Sequence, residues 1–298
     1  MPIRTAAFTR RQVLQYLPAV AAGSAALAAH AEPADDRFPL WEISLGRGKV
    51  FLLAHTPPRA TAWKDARVEA LLRGCGHLWN ETNHRGKTDD VQSLMQEYGI
   101  ARGQSLEDRL DADQRARLAT AAKAVSVPLD SLSAFRPWLA AQALEGALFS
   151  AAPFNKPNAD QVLVARAESL SIPVSSEFPT LTDATRWLAG LSPTAQMQYL
   201  LYIIDEVLTG HERGQHIYAE WDSGNSEPAR IWMSRMASNY PELYRAMDVQ
   251  RNQLWVPRVH SMLNATRPTM IVVGLYHLVG PDSMLVQLGA SGARLRLV

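Results

Sequence analysis

Thr269-Met270-Ile271-Val272-Val273-Gly274-Leu275-Tyr276-His277-Leu278-Val279-Gly280 is the stretch whose reading decides the fold class. Its opening run is short, apolar and rich in β-branched side chains, which predicts a core strand over residues 269–273 rather than a helix. A helix over 282–288 and a strand over 293–298 follow, with Gly289 and Gly292 suited to the turn between them. The C-terminal unit therefore reads strand, helix, strand.

Working outward to the other end, residues 49–54 form a second short apolar strand, preceded by the turn Gly46-Arg47-Gly48. Residues 41–45 alternate in the manner of its hairpin partner, and Pro57-Pro58 stops the pairing. A helix over 65–73 turns Val68, Leu71 and Leu72 inward and ends at Gly74, and residues 77–81 read as a further core strand. Between the two ends the pattern is mainly helical. Helices are expected over 89–124, with Ser105 and Asp108 as a capping box for one of them, then over 129–150 and 158–169. After a short strand over 172–177 come a helical pair over 179–208 broken near Gly190–Pro193, and helices over 228–238 and 249–263. The expected architecture is α/β with an α+β-like layout: a mixed central sheet formed from N- and C-terminal strands, with a large helical insertion.

Residues 1–31 contain Arg4, Arg10 and Arg11 and no acidic side chain. Thr9-Arg10-Arg11-Gln12-Val13-Leu14 has the pattern of a twin-arginine export signal, an alanine-rich run follows, and Ala29-His30-Ala31 offers small residues for cleavage. The expected organisation is a signal over 1–31 and one domain over 32–298, in the periplasm or secreted, with no stable membrane span after cleavage. The full chain carries 30 basic and 29 acidic side chains. Without the three signal arginines the balance becomes slightly acidic, which gives no electrostatic reason to expect nucleic acid as a partner. Cys75 is the only cysteine, so no intramolecular disulfide can form and stability rests on packing.

Three stretches, in order, carry a family resemblance. They are Pro39-Leu40-Trp41-Glu42-Ile43 with residues 50–54; Phe135-Arg136-Pro137-Trp138-Leu139 with Asn158-Ala159-Asp160; and Gln250-Arg251-Asn252-Gln253-Leu254-Trp255 leading into residues 272–280. Together they resemble the TraB/GumN family, whose animal members include the Tiki metalloproteases. The resemblance implies hydrolysis assisted by a divalent metal (manganese, cobalt or zinc) held by two Gly-x-x-His motifs and a glutamate, acting on a peptide or small-molecule substrate. Imidazole and carboxylate suit such an ion, which makes its bound water acidic enough to form hydroxide near neutrality. Carried over by position, the second motif is Gly274-x-x-His277 and the glutamate is Glu81, while Arg251 and Asn252 match a polar pair on the preceding helix. The resemblance thus implies a catalytic pocket of Glu81, His277, Arg251 and Asn252, with His55, Glu81 and His277 as metal ligands.

The first motif departs from the pattern. Ala54-His55-Thr56-Pro57 has alanine for the glycine and proline at the ligand position. His55 could supply the missing imidazole, His84 could do so from beyond Glu81, or the chain could keep the fold as an inactive binding or accessory protein of the cell envelope. Glycine before a ligand histidine is expected to let the backbone turn tightly. His211, His216 and His260 lack ligand spacing and read as non-catalytic, with Gly210 and Gly214 placing 210–216 on a loop. Trp41, Trp63, Trp79 and Trp138 read as core, and no phosphate-binding glycine loop or serine elbow is present.

Overall fold

The computed structural model describes residues 39–298 apart from 56–62, 83–87, 151–155 and 210. The proposed signal, Pro57-Pro58 and His84 lie outside the described residues. Six strands form one mixed sheet: β1 (Leu40–Leu45), β2 (Gly48–His55), β3 (His77–Thr82), β4 (Val174–Phe178), β5 (Thr269–Gly274) and β6 (Arg294–Leu297). Their order is β4-β3-β5-β2-β1-β6. β2, β3, β4 and β5 run parallel as neighbours, and β1 pairs antiparallel with both β2 and β6. The mixed sheet built from both chain ends is as expected, with one addition. β4 comes from within the helical stretch and takes the edge beside β3.

The labelled helices are α1 (Ala66–Gly74), α2 (Thr88–Tyr98), α3 (Ala112–Ala124), α4 (Pro137–Ser150), α5 (Ala159–Ser169), α6 (Leu181–Ala189), α7 (Pro193–Thr209), α8 (His211–Asp222), α9 (Glu227–Asn239), α10 (Gln250–Met262) and α11 (Met284–Ala290). Both faces of the central strands are covered, which is why β2 and β5 are continuous apolar runs. On one face Ile43, Val50, Leu52, Ala54, Ile271 and Val273 join the large helical core around Trp138, Leu200, Ile204 and Trp255. On the other, Phe51, Leu53, Leu78, Met270 and Val272 meet Val68 and Leu72 of α1 and Leu163 and Ala167 of α5. Asp65 caps α1 by accepting from the backbone N–H groups of Arg67 and Val68.

Three local expectations are corrected. The helical stretch expected over 89–124 forms two helices, α2 and α3, separated by a short 3-10 turn at Glu107–Arg109. Gly103, at a φ of +85°, lies in the break. Ser105 and Asp108 serve that short turn, the Ser105 N–H donating to Asp108 Oδ2 at 3.1 Å. The capping box belongs instead to Asp111 and Gln114 at the start of α3. The helix expected over 129–150 is a single turn at Leu129–Leu132 followed by α4, because Pro137 can open a helix but not continue one. Residues 211–216, expected on a loop, form the start of α8, whose Ile217 and Trp221 are buried; tertiary packing overrides the cost of Gly214. No helix among the described residues is long and apolar enough to cross a membrane.

Candidate functional site

The parallel strands β2, β3, β4 and β5 end on one edge of the sheet, and each delivers a residue there: His55, Glu81, Glu177 and Gly274. Carboxyl ends of parallel strands are where open α/β sheets build their sites. His55 lies opposite Gly274 in the β2–β5 register, and the pairs Asn80↔Ser176 and Thr82↔Phe178 bracket Glu81 and Glu177. His277 follows Gly274 in the 3-10 turn Leu275–Leu278 and is buried. Among the described residues, the positions singled out from the sequence all meet at this edge.

Glu81 is the hub. Its Oε2 accepts from Arg251 Nη2 at 2.6 Å, and its Oε1 accepts the backbone N–H of Gly274. His55 Nε2 and His277 Nε2 stand 3.6 and 3.8 Å from that same Oε1. Burial alone would raise the Glu81 pKa, but the charge of Arg251 and the adjacent imidazoles of His277 and His55 hold it well below the usual carboxylate range. Glu81 is an anion at any ordinary pH.

Asp248, Arg251, Asn252 and Trp255 surround His277 from one helix face, spaced i, i+3, i+4 and i+7. A π-helical turn at Arg245–Val249 precedes α10 and carries the first of them. Asn252 Nδ2 donates to the Asp282 carbonyl at 3.0 Å, which turns its Oδ1 toward His277 Nδ1 at 2.8 Å. Arg251 Nη1, a donor only, faces His277 Nε2 at 3.3 Å. Both contacts assign the proton to Nδ1 and leave a lone pair on Nε2, aimed at the Glu81 side. Burial pushes the His277 pKa down to about 3, so the ring stays neutral. Its face lies 4.4 Å from the Trp255 ring centroid, and Asp248 Oδ1 is 3.7 Å from Nδ1. Burial also pushes Asp248 up to about 7, against the pull of Arg251.

Arg251 is buried and fully committed. Its Nη2 is shared between Glu81 Oε2 and Glu177 Oε2, each at 2.6 Å, and its Nε donates to Glu177 at 3.0 Å. The guanidinium carbon lies 4.6 Å from the Trp255 ring centroid and 5.5 Å from those of Phe178 and Trp187. Burial works against its charge, but Glu81 and Glu177 prevail and raise its pKa further. Arg251 and Asn252 therefore lie behind Glu81 and His277 and hold them by hydrogen bonds. His55 is partly exposed and its buried Nδ1 has no hydrogen-bond partner among the described residues. Burial pulls its pKa down, but the Glu81 carboxylate more than offsets this and raises it.

Gly274 has an ordinary φ of −60°, so the expected tight-turn role is replaced by one of space. A Cβ there would meet Glu81 Oε1 at 3.1 Å. Gly274→Ala is expected to cost only about 1–2 kcal/mol of stability while displacing the carboxylate from its N–H donor. Thermal melts check this, and an alanine variant as stable as the parent would contradict the role.

Glu177, Asp248 and the links of buried Asn80 to Asp160 and to half-buried Ser176 were not foreseen from the sequence. Asn80 Nδ2 donates to Asp160 Oδ1 at 2.7 Å, and Ser176 Oγ donates to Asn80 Oδ1, locking β3 to β4 and α5 behind Glu81. The helical spacing of Asp248 from Arg251, Asn252 and Trp255 was the one available signal. Elsewhere His216 is exposed, and His260 bonds Ser291 at 2.8 Å, both away from this site.

The donors suit a divalent cation in kind. Ligands about 2.1 Å from a tetrahedral ion lie about 3.4 Å apart, close to the two nitrogen–oxygen separations at Glu81 Oε1. Among the described residues no three His, Cys, Asp or Glu side chains already converge tightly enough to hold an ion. Closing the set would require Arg251 Nη1 to yield the His277 Nε2 lone pair.

Fold and site define a mixed α/β protein with a carboxylate–imidazole–guanidinium cluster at the carboxyl edge of its parallel strands. Residues 39–296 match the TraB/PrgY/gumN family, nearly the whole chain, and the protein belongs to that family. No curated protein matches it.

Proposed function

We propose that this chain is an exported metal-dependent hydrolase acting on peptide bonds, with His55, Glu81 and His277 as ligands of a divalent ion. The observation that carries the reading is the approach of two imidazole Nε2 atoms to one carboxylate oxygen, at 3.6 and 3.8 Å. The protonation states of His277 and Glu81 support it. A histidine with a pKa of about 3 is a poor acid–base catalyst near neutrality but a permanent lone-pair donor, and a depressed carboxylate is a permanent anion. When bound, the ion would supply Lewis-acid polarisation of the carbonyl and an acidified water.

The chain's own residues do the positioning. Asn252 fixes the His277 tautomer, the Gly274 N–H and Arg251 fix the two Glu81 oxygens, and Glu177 holds Arg251 from the far side. His55 stands in for the imidazole that the first motif lacks. Export rests on the order of basic residues, alanine-rich run and small cleavage residues in 1–31.

Hydrolysis adds water across the amide and yields a carboxylate and an amine. The test is cleavage of an unstructured peptide pool by the full chain, followed by mass spectrometry. Chelator is expected to abolish cleavage, manganese, cobalt or zinc to restore it, and Glu81→Ala to lose at least about 100-fold in rate. Cleavage indifferent to chelator would reject the metal. No cleavage with any of the three ions would favour the inactive, ligand-binding reading, to which Pro57 at the ligand position and Arg251 on the His277 lone pair both lend weight.

A further inference from the structure

The sheet has two edges, and they are built differently. β6 carries Arg294 and Arg296, charged side chains of the kind that discourage strand addition. β4 reads Val-Ser-Ser-Glu-Phe, with no lysine, arginine or proline, and its one charge, Glu177, is turned inward onto Arg251. Pro173 and Pro179 bound it on either side.

The Leu78 N–H donates to the Pro173 carbonyl at 2.9 Å, which sets the phase of the β3–β4 ladder. In a parallel pair that phase continues through Ser175 and Glu177, so the N–H and C=O groups of Val174, Ser176 and Phe178 face away from β3. Among the described residues no strand pairs with that outer side. Ser175 is exposed and the outward-facing Val174, Ser176 and Phe178 are half-buried, and the edge runs directly into the site at Glu177 and Phe178, beside Arg251.

We infer that the outer edge of β4 is the docking track for an extended peptide, which adds to the sheet as a seventh strand and carries its next residues across the carboxyl edge toward Glu81 and His277. The occupant follows from the chemistry of the edge: alternating main-chain donors and acceptors that no strand among the described residues pairs are satisfied in register only by another extended backbone. Recognition would rest mainly on main chain, with weak side-chain selectivity beside Ser175 and Ser176. This rests on the peptide-hydrolase reading above but concerns binding, which can be measured without turnover.

Amide hydrogen exchange on the Glu81→Ala full chain tests it, using acetylated and amidated decapeptides of random sequence as the probe. The Ser176 and Phe178 amides are expected to exchange freely in the unliganded protein and to slow at least about tenfold with peptide. The same pool N-methylated at alternate residues should give no slowing. Protection already present without peptide would mean the edge is covered and would overturn the inference, as would protection by the N-methylated pool.

Ser176→Pro provides the second arm. It removes an outward N–H that the ladder does not use, while Ser176→Ala controls for the lost bond to Asn80. The proline variant is expected to bind the pool about tenfold more weakly than the alanine variant, the worth of one or two main-chain hydrogen bonds. Equal binding by the two overturns the track. Binding on β4 without cleavage by the parent would reject only the hydrolase reading, and cleavage without β4 protection would reject only the track.

Discussion

Arg251→Met is expected to destabilise the protein by about 3–5 kcal/mol at neutral pH, because it leaves two buried carboxylates without their shared cation. Glu81 and Glu177 are only 16% and 12% exposed, and both accept from Arg251 Nη2 at 2.6 Å. Methionine preserves much of the packing against Trp255, so the loss reports mainly on charge. The pH dependence separates this from a packing defect. In the parent, Glu81 has a lowered folded pKa, so its contribution is present above the ordinary carboxylate value and lost as acid protonates it. In the variant, burial acts without the guanidinium and raises the Glu81 pKa, so stability is lost as pH rises through that range. The deficit should therefore widen from about pH 4.5 to 7 in urea melts. An equal deficit at both pH values would show that the pair contributes shape and not charge.

Trp255→Ala is expected to cost a similar amount, about 3–5 kcal/mol, for a different reason. Its ring is 1% exposed and touches three things at once. Trp79 meets it edge-on at 5.2 Å, His277 lies across it at 4.4 Å, and the Arg251 guanidinium sits 4.6 Å from its centroid. Truncation leaves a cavity between β3 and α10 and removes the wall that keeps His277 dry. The same variant should consequently raise the His277 pKa from its buried value of about 3, which histidine ring NMR would report. Trp255→Phe should recover most of the stability, because a smaller ring still separates His277 from water. A stable alanine variant with an unshifted histidine would mean that β3 and α10 close without the indole.

The sequence carried the sheet's central strands well, because residues 49–54 and 269–273 are short apolar runs, the second rich in β-branched side chains, bounded by turn signals. It also carried the Gly274-x-x-His277 motif and the Arg251-Asn252 pair on the helix before it, two short strings with few other readings. What it could not carry was partnership. Glu177 looks like any polar residue at a strand end until the β3–β4 register sets it beside Glu81. Asp248 stands one helical turn before Arg251 and Asn252, but nothing in its own residue type marks a carboxylate there as buried against His277. The role of Gly274 was misread for a related reason. Glycine usually signals unusual φ, whereas here it makes room for an oxygen supplied from another strand.

His55 shows the same limit from the other side. Counted along the chain, Ala54-His55-Thr56-Pro57 is a damaged motif. Across the sheet, His55 is the residue that stands level with Gly274 and reaches Glu81. Strand register, rather than motif spacing, determines which imidazole is available.

The most direct measurement is elemental mass spectrometry on the chain purified without chelators, beside His55→Ala and the Glu81→Ala/His277→Ala double variant. The account predicts a stoichiometric divalent ion in the parent, a weakened one in His55→Ala and none in the double variant. No bound ion in the parent after manganese, cobalt and zinc have each been offered would contradict it, leaving the Arg251–Glu81–His277 cluster as a structural remnant of the family's chemistry.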